Sequence, residues 1–155
     1  MANEFSTAGI KIYYAVETTA GTRPTTGFSV IAGIKSTPDF NPEPSTLEVT
    51  DLSDEVWKRY IPGLRDVGGA LSFTANLTSA FKTAWEALVS ASETAKASSK
   101  ATWFEIAIPN FDSFYFAGEP TPLGVKAFNV DEVAEIDAYI TPNAIEGWAT
   151  ASTKS

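Results

Sequence analysis

The sequence predicts a mainly β fold, an antiparallel β-sandwich or barrel with one α-helix on its flank. Three observations carry that prediction. Short blocks of apolar/polar alternation recur along the 155 residues, which is the period-two signature of half-buried strands. A single segment shows helical spacing. Most connections between blocks are too short for crossover helices, so neighbouring strands must run antiparallel.

The first block puts Ile10, Ile12, Tyr14 and Val16 on one face and Lys11, Tyr13 and Glu17 on the other. A second, more apolar block covers residues 28–34. In a third, Leu47 and Val49 alternate with Thr46, Glu48 and Thr50. The clearest strand spans about residues 67–78: Leu71, Phe73, Ala75 and Leu77 point one way, and Ser72, Thr74 and Asn76 the other. Gly68-Gly69 at its start fits a bend or bulge.

The helix is expected over residues 79–96, with Phe81, Trp85 and Leu88 at i, i+4, i+7 and Thr78 or Ser79 as N-cap. Four more strands follow. Phe104, Ile106 and Ile108 alternate with Trp103, Glu105 and Ala107, and Pro109-Asn110 ends that run. Phe114 and Phe116 mark the next, closed by Gly118 and Pro120, and residues 123–130 the one after. In the last, Ala134, Ile136, Ala138 and Ile140 alternate with Glu135, Asp137 and Tyr139, and Pro142-Asn143 is expected to stop it. One domain thus covers 1–150, and the small polar residues 151–155 read as a flexible tail.

One stretch fits no element. Residues 38–66 are punctuated by Pro38, Pro42, Pro44 and Pro62 and carry Asp51, Asp54 and Glu55 beside Trp57, Tyr60, Ile61 and Leu64. A long irregular loop in a compact domain is usually functional or disordered, and a disordered loop would not hold so many large apolar groups. An interaction loop that buries them against a neighbour accounts for both facts. Trp57, Tyr60, Ile61 and Leu64 are therefore the candidates for subunit contact, with local core the competing reading for the two aromatics.

Composition narrows the function. Ten Phe, five Tyr and four Trp supply a core for one domain. The formal net charge of −8 argues against gripping phosphate, which needs clustered Lys and Arg, but suits a wall that DNA slides past. The chain has no Cys and no His. Disulfides, thiolate nucleophiles and the commonest general base are therefore excluded. Met1-Ala2-Asn3-Glu4-Phe5 lacks the basic start and apolar run of a secretory signal, and no stretch reaches membrane-spanning length. The protein is expected in the cytoplasm until assembly or release, with no membrane partner.

The remaining chemical signals have plain structural explanations. Glu135 with Asp137, or Asp131 with Glu132, could pair for acid–base work, but charged strand faces are ordinarily solvated. Asp51, Asp54 and Glu55 do not have the spacing of a calcium loop. Gly63 and Gly68-Gly69 match no phosphate-binding motif. No catalytic, cofactor-binding or metal-binding residues are expected.

Two segments carry a family resemblance. Trp57-Lys58-Arg59-Tyr60-Ile61-Pro62-Gly63-Leu64-Arg65-Asp66 runs through Gly68-Gly69 into Leu71-Ser72-Phe73-Thr74-Ala75-Asn76. Phe104-Glu105-Ile106-Ala107-Ile108-Pro109 is followed by Leu123-Gly124-Val125 and by Val130-Asp131-Glu132-Val133. In order and spacing these segments, with Val16-Glu17-Thr18-Thr19-Ala20-Gly21-Thr22-Arg23-Pro24, resemble the major tail tube family of long, non-contractile (siphovirus-type) phage tails. The resemblance implies a β-sandwich with a flanking helix. It also implies hexameric rings whose inner strands join edge to edge, stacked into a tube that first holds a tape measure protein and later passes DNA without specific binding. Tail-tip initiator and tail terminator proteins would be the other partners. The protein would be a virion component assembled in the host cytoplasm, ending before the immunoglobulin-like domain that many relatives add. Glu135 and Asp137, on a polar strand face, are the candidates to face the lumen. The alternatives are a contractile-tail or secretion-system tube subunit and a small carbohydrate- or receptor-binding sandwich. An enzyme ranks last.

Overall fold

The computed structural model describes residue 4 and residues 6–153. Most of the N-terminal pentapeptide and the last two residues of the expected tail lie outside the described residues. Nine strands and one helix are present among those described: β1 (Lys11–Val16), β2 (Ser29–Ile31), β3 (Ile34–Ser36), β4 (Thr46–Glu48), β5 (Tyr60–Pro62), β6 (Leu71–Asn76), α1 (Ser79–Ala97), β7 (Thr102–Ala107), β8 (Ser113–Pro120) and β9 (Glu135–Ala149).

Seven strands form one antiparallel sheet in the order β2-β1-β7-β8-β9-β6-β3. Its two ends, β2 and β3, are separated in the chain only by Ala32 and Gly33. The sheet therefore curls until its edges nearly meet, giving a nearly closed barrel. The apolar block 28–34 is thus two short strands on opposite edges, not one strand.

The inner face follows the alternation. Leu71, Phe73 and Ala75 of β6 pack with Ile136, Ala138 and Ile140 of β9, Phe104 of β7 and Phe116 of β8. Phe116 stacks between Phe104 at 5.2 Å and Phe73 at 6.3 Å. The helix lays Phe81, Trp85, Leu88 and Val89 into the same core, and Ser92 and Ala95 are buried further along, following the helical repeat. The Thr78 hydroxyl accepts the Phe81 N–H at 3.1 Å and caps the start. The Trp85 indole donates to the Thr121 carbonyl at 2.8 Å, which satisfies its only polar atom inside the core.

Two expected features are corrected. Residues 123–130 form no strand. β9 pairs only with β6 over residues 135–139, but the segment leaves that open edge after Thr121 N donates to the Tyr139 carbonyl at 2.9 Å; Leu123 alone packs on the core, and Val125, Phe128 and Val130 stay exposed. β9 does not stop at Pro142-Asn143 but continues to Ala149. Pairing with β6 ends at the Leu71–Ile140 pair, so beyond it only β8 needs the strand's hydrogen bonds, and a proline with no N–H is tolerated. The close fit there falls on Gly118, where a Cβ would sit 2.7 Å from the Thr141 carbonyl oxygen.

A second, smaller core lies on the outer face of β1, β7 and β8. Ala15, Phe28 and Tyr115 are buried there, flanked by Tyr13, Trp103 and Ala149. The 17–28 loop and residues 150–153 cover it. The described part of the expected tail is tied down: Thr153 N donates to the Thr25 carbonyl at 3.1 Å, and Ser152 bonds to Glu105.

Candidate subunit-contact site

The 38–66 excursion is not irregular throughout. It holds a two-stranded antiparallel ribbon in which Thr46 pairs Pro62, Leu47 pairs Ile61 and Glu48 pairs Tyr60. All six residues of its strands are exposed. A two-stranded hairpin is marginal on its own in water, so its anchors matter. On one side Phe40 enters the main core, 4.8 Å from Phe116 and 5.1 Å from Phe114. On the other side Val67 packs on the same cluster. Between these anchors no residue from 41 to 66 is buried.

Polar contacts set the root of the ribbon. Arg65 Nε donates to the Pro42 carbonyl at 3.1 Å and Arg65 Nη2 to Asn41 Oδ1 at 2.7 Å. Ser45 Oγ donates to the Leu64 carbonyl at 3.0 Å. Gly63 lies so close to Ser45 that any Cβ would collide with the Ser45 hydroxyl. Beside the root, Phe40, Pro42, Val67, Phe114 and Trp148 line a cleft of about 730 Å³.

The structure places Trp57, Tyr60, Ile61 and Leu64 on this excursion and outside the hydrophobic core. Trp57 is 82% and Leu64 90% exposed, with Tyr60 and Ile61 about half exposed. Leu47, Leu52 and Val56 join them on the surface, although sequence reasoning singled out none of these three as contacts. Ordinary monomer surfaces scatter such residues singly, whereas here these seven lie within residues 47–64.

Glu135 and Asp137 lie two apart on β9, both partly covered. Glu135 forms an ion pair with Lys35. That lysine's hydrogen bond and charge hold the Glu135 carboxyl below its ordinary range. Asp137 accepts from Thr74 Oγ1 at 3.0 Å and lies 3.6 Å from Lys126 Nζ. Both carboxylates therefore stand next to a cation rather than forming a bare acidic face.

Sequence reasoning missed two buried carboxylates. Glu17 accepts from Ala101 N at 2.9 Å, Gly21 N at 3.0 Å and the Trp103 indole at 2.8 Å. Glu105 is fully buried and accepts from Tyr115 Oη at 3.0 Å, Ser152 Oγ at 2.6 Å and Ser152 N at 3.2 Å. Burial first, and the charge of Glu105 second, raise the Tyr115 phenol above its usual range and keep it a donor. Its ring carries the Arg23 guanidinium at 4.0 Å. An acid and a phenol so placed could move a proton, but both are wholly enclosed, and their bonds join β7, β8 and the C-terminal segment.

No protein-family model matches the chain, and no curated protein matches it in sequence. Among solved structures, the fold is similar to a chain in the cryo-EM structure of the anti-feeding prophage (AFP) baseplate, six-fold symmetrised. The TM-score is 0.60 and the identity 6%, over 95% of this chain and 97% of that one.

Proposed function

We propose that the chain is a structural subunit of a phage-tail-type particle, building six-membered rings that stack around a channel. The observation that carries this reading is the hairpin of β4 and β5. It is held at its root by Arg65 and Ser45, exposed on all sides, and loaded with Leu47, Trp57, Tyr60, Ile61 and Leu64. A protrusion of that composition is suited to be buried by another copy. Three facts support the rest. The similar solved chain belongs to a six-fold prophage baseplate, and the likeness spans nearly its whole length. Beyond Ile140, β9 is paired with described strands only through β8, so a stretch of strand edge is open to a neighbouring subunit's backbone. The net charge of −8 disfavours adhesion to DNA.

In this reading the subunit is a virion component assembled in the host cytoplasm and has no catalytic role. The channel holds a tape measure protein before it passes DNA, and initiator and terminator proteins bound the tube. Glu135 and Asp137 face the lumen, where Lys35 and Lys126 temper their charge. A second reading, a ring used once inside a baseplate, is favoured by the baseplate origin of the similar solved chain.

Negative-stain electron microscopy of the purified protein across a concentration series separates these readings. Tubes of indefinite length support the repeating subunit, and single rings support the baseplate part. A protein that stays monomeric even with a purified tail-tip initiator contradicts both.

A further inference from the structure

The hairpin's tip is built in an unusual way. Residues 49–59 have no core beneath them, and Leu52, Val56 and Trp57 are at least 80% exposed. Such a segment normally samples many shapes. Here one arginine closes it. Arg59 Nε donates to Asp54 Oδ1 at 2.9 Å and Oδ2 at 2.8 Å. Arg59 Nη2 reaches Asp51 Oδ2 at 3.1 Å and the Val49 carbonyl at 3.4 Å.

The two aspartates in turn fix the backbone between them. Asp54 Oδ2 accepts Asp51 N at 2.9 Å, Asp54 N donates to the Asp51 carbonyl at 3.0 Å, and Asp51 Oδ1 accepts Ser53 N at 2.8 Å. Across the ribbon, Val49 N donates to the Arg59 carbonyl at 2.9 Å and Arg59 N to Thr50 Oγ1 at 2.9 Å. Exposed ion pairs add little to folding stability, so this network does not hold the barrel together. What it does is close the loop that carries Leu52, Val56 and Trp57, and ordering a surface before binding lowers the cost of binding.

We infer that Arg59 is a positioning residue for assembly: with Asp51 and Asp54 it pre-shapes the tip that a second copy of this chain receives. This rests on the reading of the hairpin as a subunit contact. A lysine would keep the charge but cannot span two carboxylates and a carbonyl with a planar fork. The hydrogen bonds from Ser53 to Asp51, and those from Asp51 N and Arg59 to Asp54, hold both carboxyls below their ordinary range, so the cage stays charged at neutral pH.

The test compares wild type with Arg59→Lys, Trp57→Ala and the double variant Val49→Cys/Arg59→Cys, whose two positions face each other across the ribbon. In the isolated subunit, Arg59→Lys should speed hydrogen exchange at the amides of Val49, Asp51 and Asp54 by about ten-fold or more, with the thermal midpoint unchanged within about 2 °C. It should raise the concentration needed for ring or tube formation by about ten-fold. The double variant should assemble like wild type when oxidised and like Arg59→Lys when reduced.

Unchanged tip exchange in Arg59→Lys overturns the inference, whatever the state of assembly. So does failure of the oxidised double variant to assemble, because Arg59 would then be a direct contact. Normal assembly of Trp57→Ala instead removes the hairpin reading itself while leaving the tip-exchange result standing.

Discussion

Two carboxylate clusters in this chain use the same bonds in opposite surroundings. Glu105 and Glu17 sit on the outer face of β1 and β7, covered by the 17–28 loop and the C-terminal segment, and collect donors from parts of the chain far apart in sequence. Asp51 and Asp54 sit at the tip of the β4–β5 hairpin and collect donors only from residues 51–59. In the first place an unmatched donor would be stranded away from water, so each bond bears on folding. In the second, water can replace every partner, so the bonds shape a surface and contribute little to stability. Buried polar clusters report how the barrel is closed; the exposed one reports how the hairpin tip is shaped.

The largest effect should come from Glu105→Ala. It removes the acceptor of Ser152 N and Oγ and leaves Tyr115 Oη only the Thr150 carbonyl at 2.7 Å, and it empties a fully buried site, so urea unfolding should show a loss of about 3 kcal/mol. A loss under about 0.5 kcal/mol would erase the distinction between the two clusters.

Glu17→Gln comes next. It keeps the shape but removes the charge that Ala101 N, Gly21 N and Trp103 bond, for a loss of about 1–2 kcal/mol and a thermal midpoint lower by several degrees.

The same residue predicts a pH dependence. Burial alone would raise the Glu17 carboxyl, but the bonds from Ala101, Trp103 and Gly21 outweigh it and hold the group below its usual 4.5. A folded-state value below the unfolded one stabilises above about pH 4.5 and is lost as pH falls through the lowered value. The stability gap between wild type and Glu17→Gln should therefore be constant above about pH 5 and shrink below about pH 4.5. A gap that widened on acidification would mean the carboxylate is not the stabilised form.

The smallest folding effect belongs to Trp57→Ala, within about 0.5 kcal/mol of wild type in the same urea titration because the indole covers no core. A loss above about 2 kcal/mol would place Trp57 in the chain's own packing.

The barrel was legible in the sequence wherever one face is buried and the other is not. β1, β6, the first half of β9 and α1 all show their period, and α1 begins at Ser79 as its spacing and the Thr78 cap require. Alternation misled at 123–130, because apolar residues hold a strand where they have a core to cover, and here Leu123 alone packs on it while Val125, Phe128 and Val130 stay exposed. Pro142 misled for a different reason, since a strand with one unpaired side has room for proline. Glu105 alternates correctly with Phe104, yet it is buried because a distant loop and the C-terminal segment cover the outer face, a long-range fact that no local pattern carries. The hairpin was visible as an excess of apolar residues between prolines. Its first strand showed as the alternation around Leu47 and Val49, but the partner Tyr60–Pro62 was hidden, because a strand exposed on both faces has no buried side to impose a period.

Hydrogen exchange measured on subunits and on assembled particles tests the central claim most directly. Amides of residues 46–62 should become protected on assembly, while those around Glu17 and Glu105 stay as slow as they already are. A hairpin that exchanges as fast in the particle as in the free subunit would contradict the account.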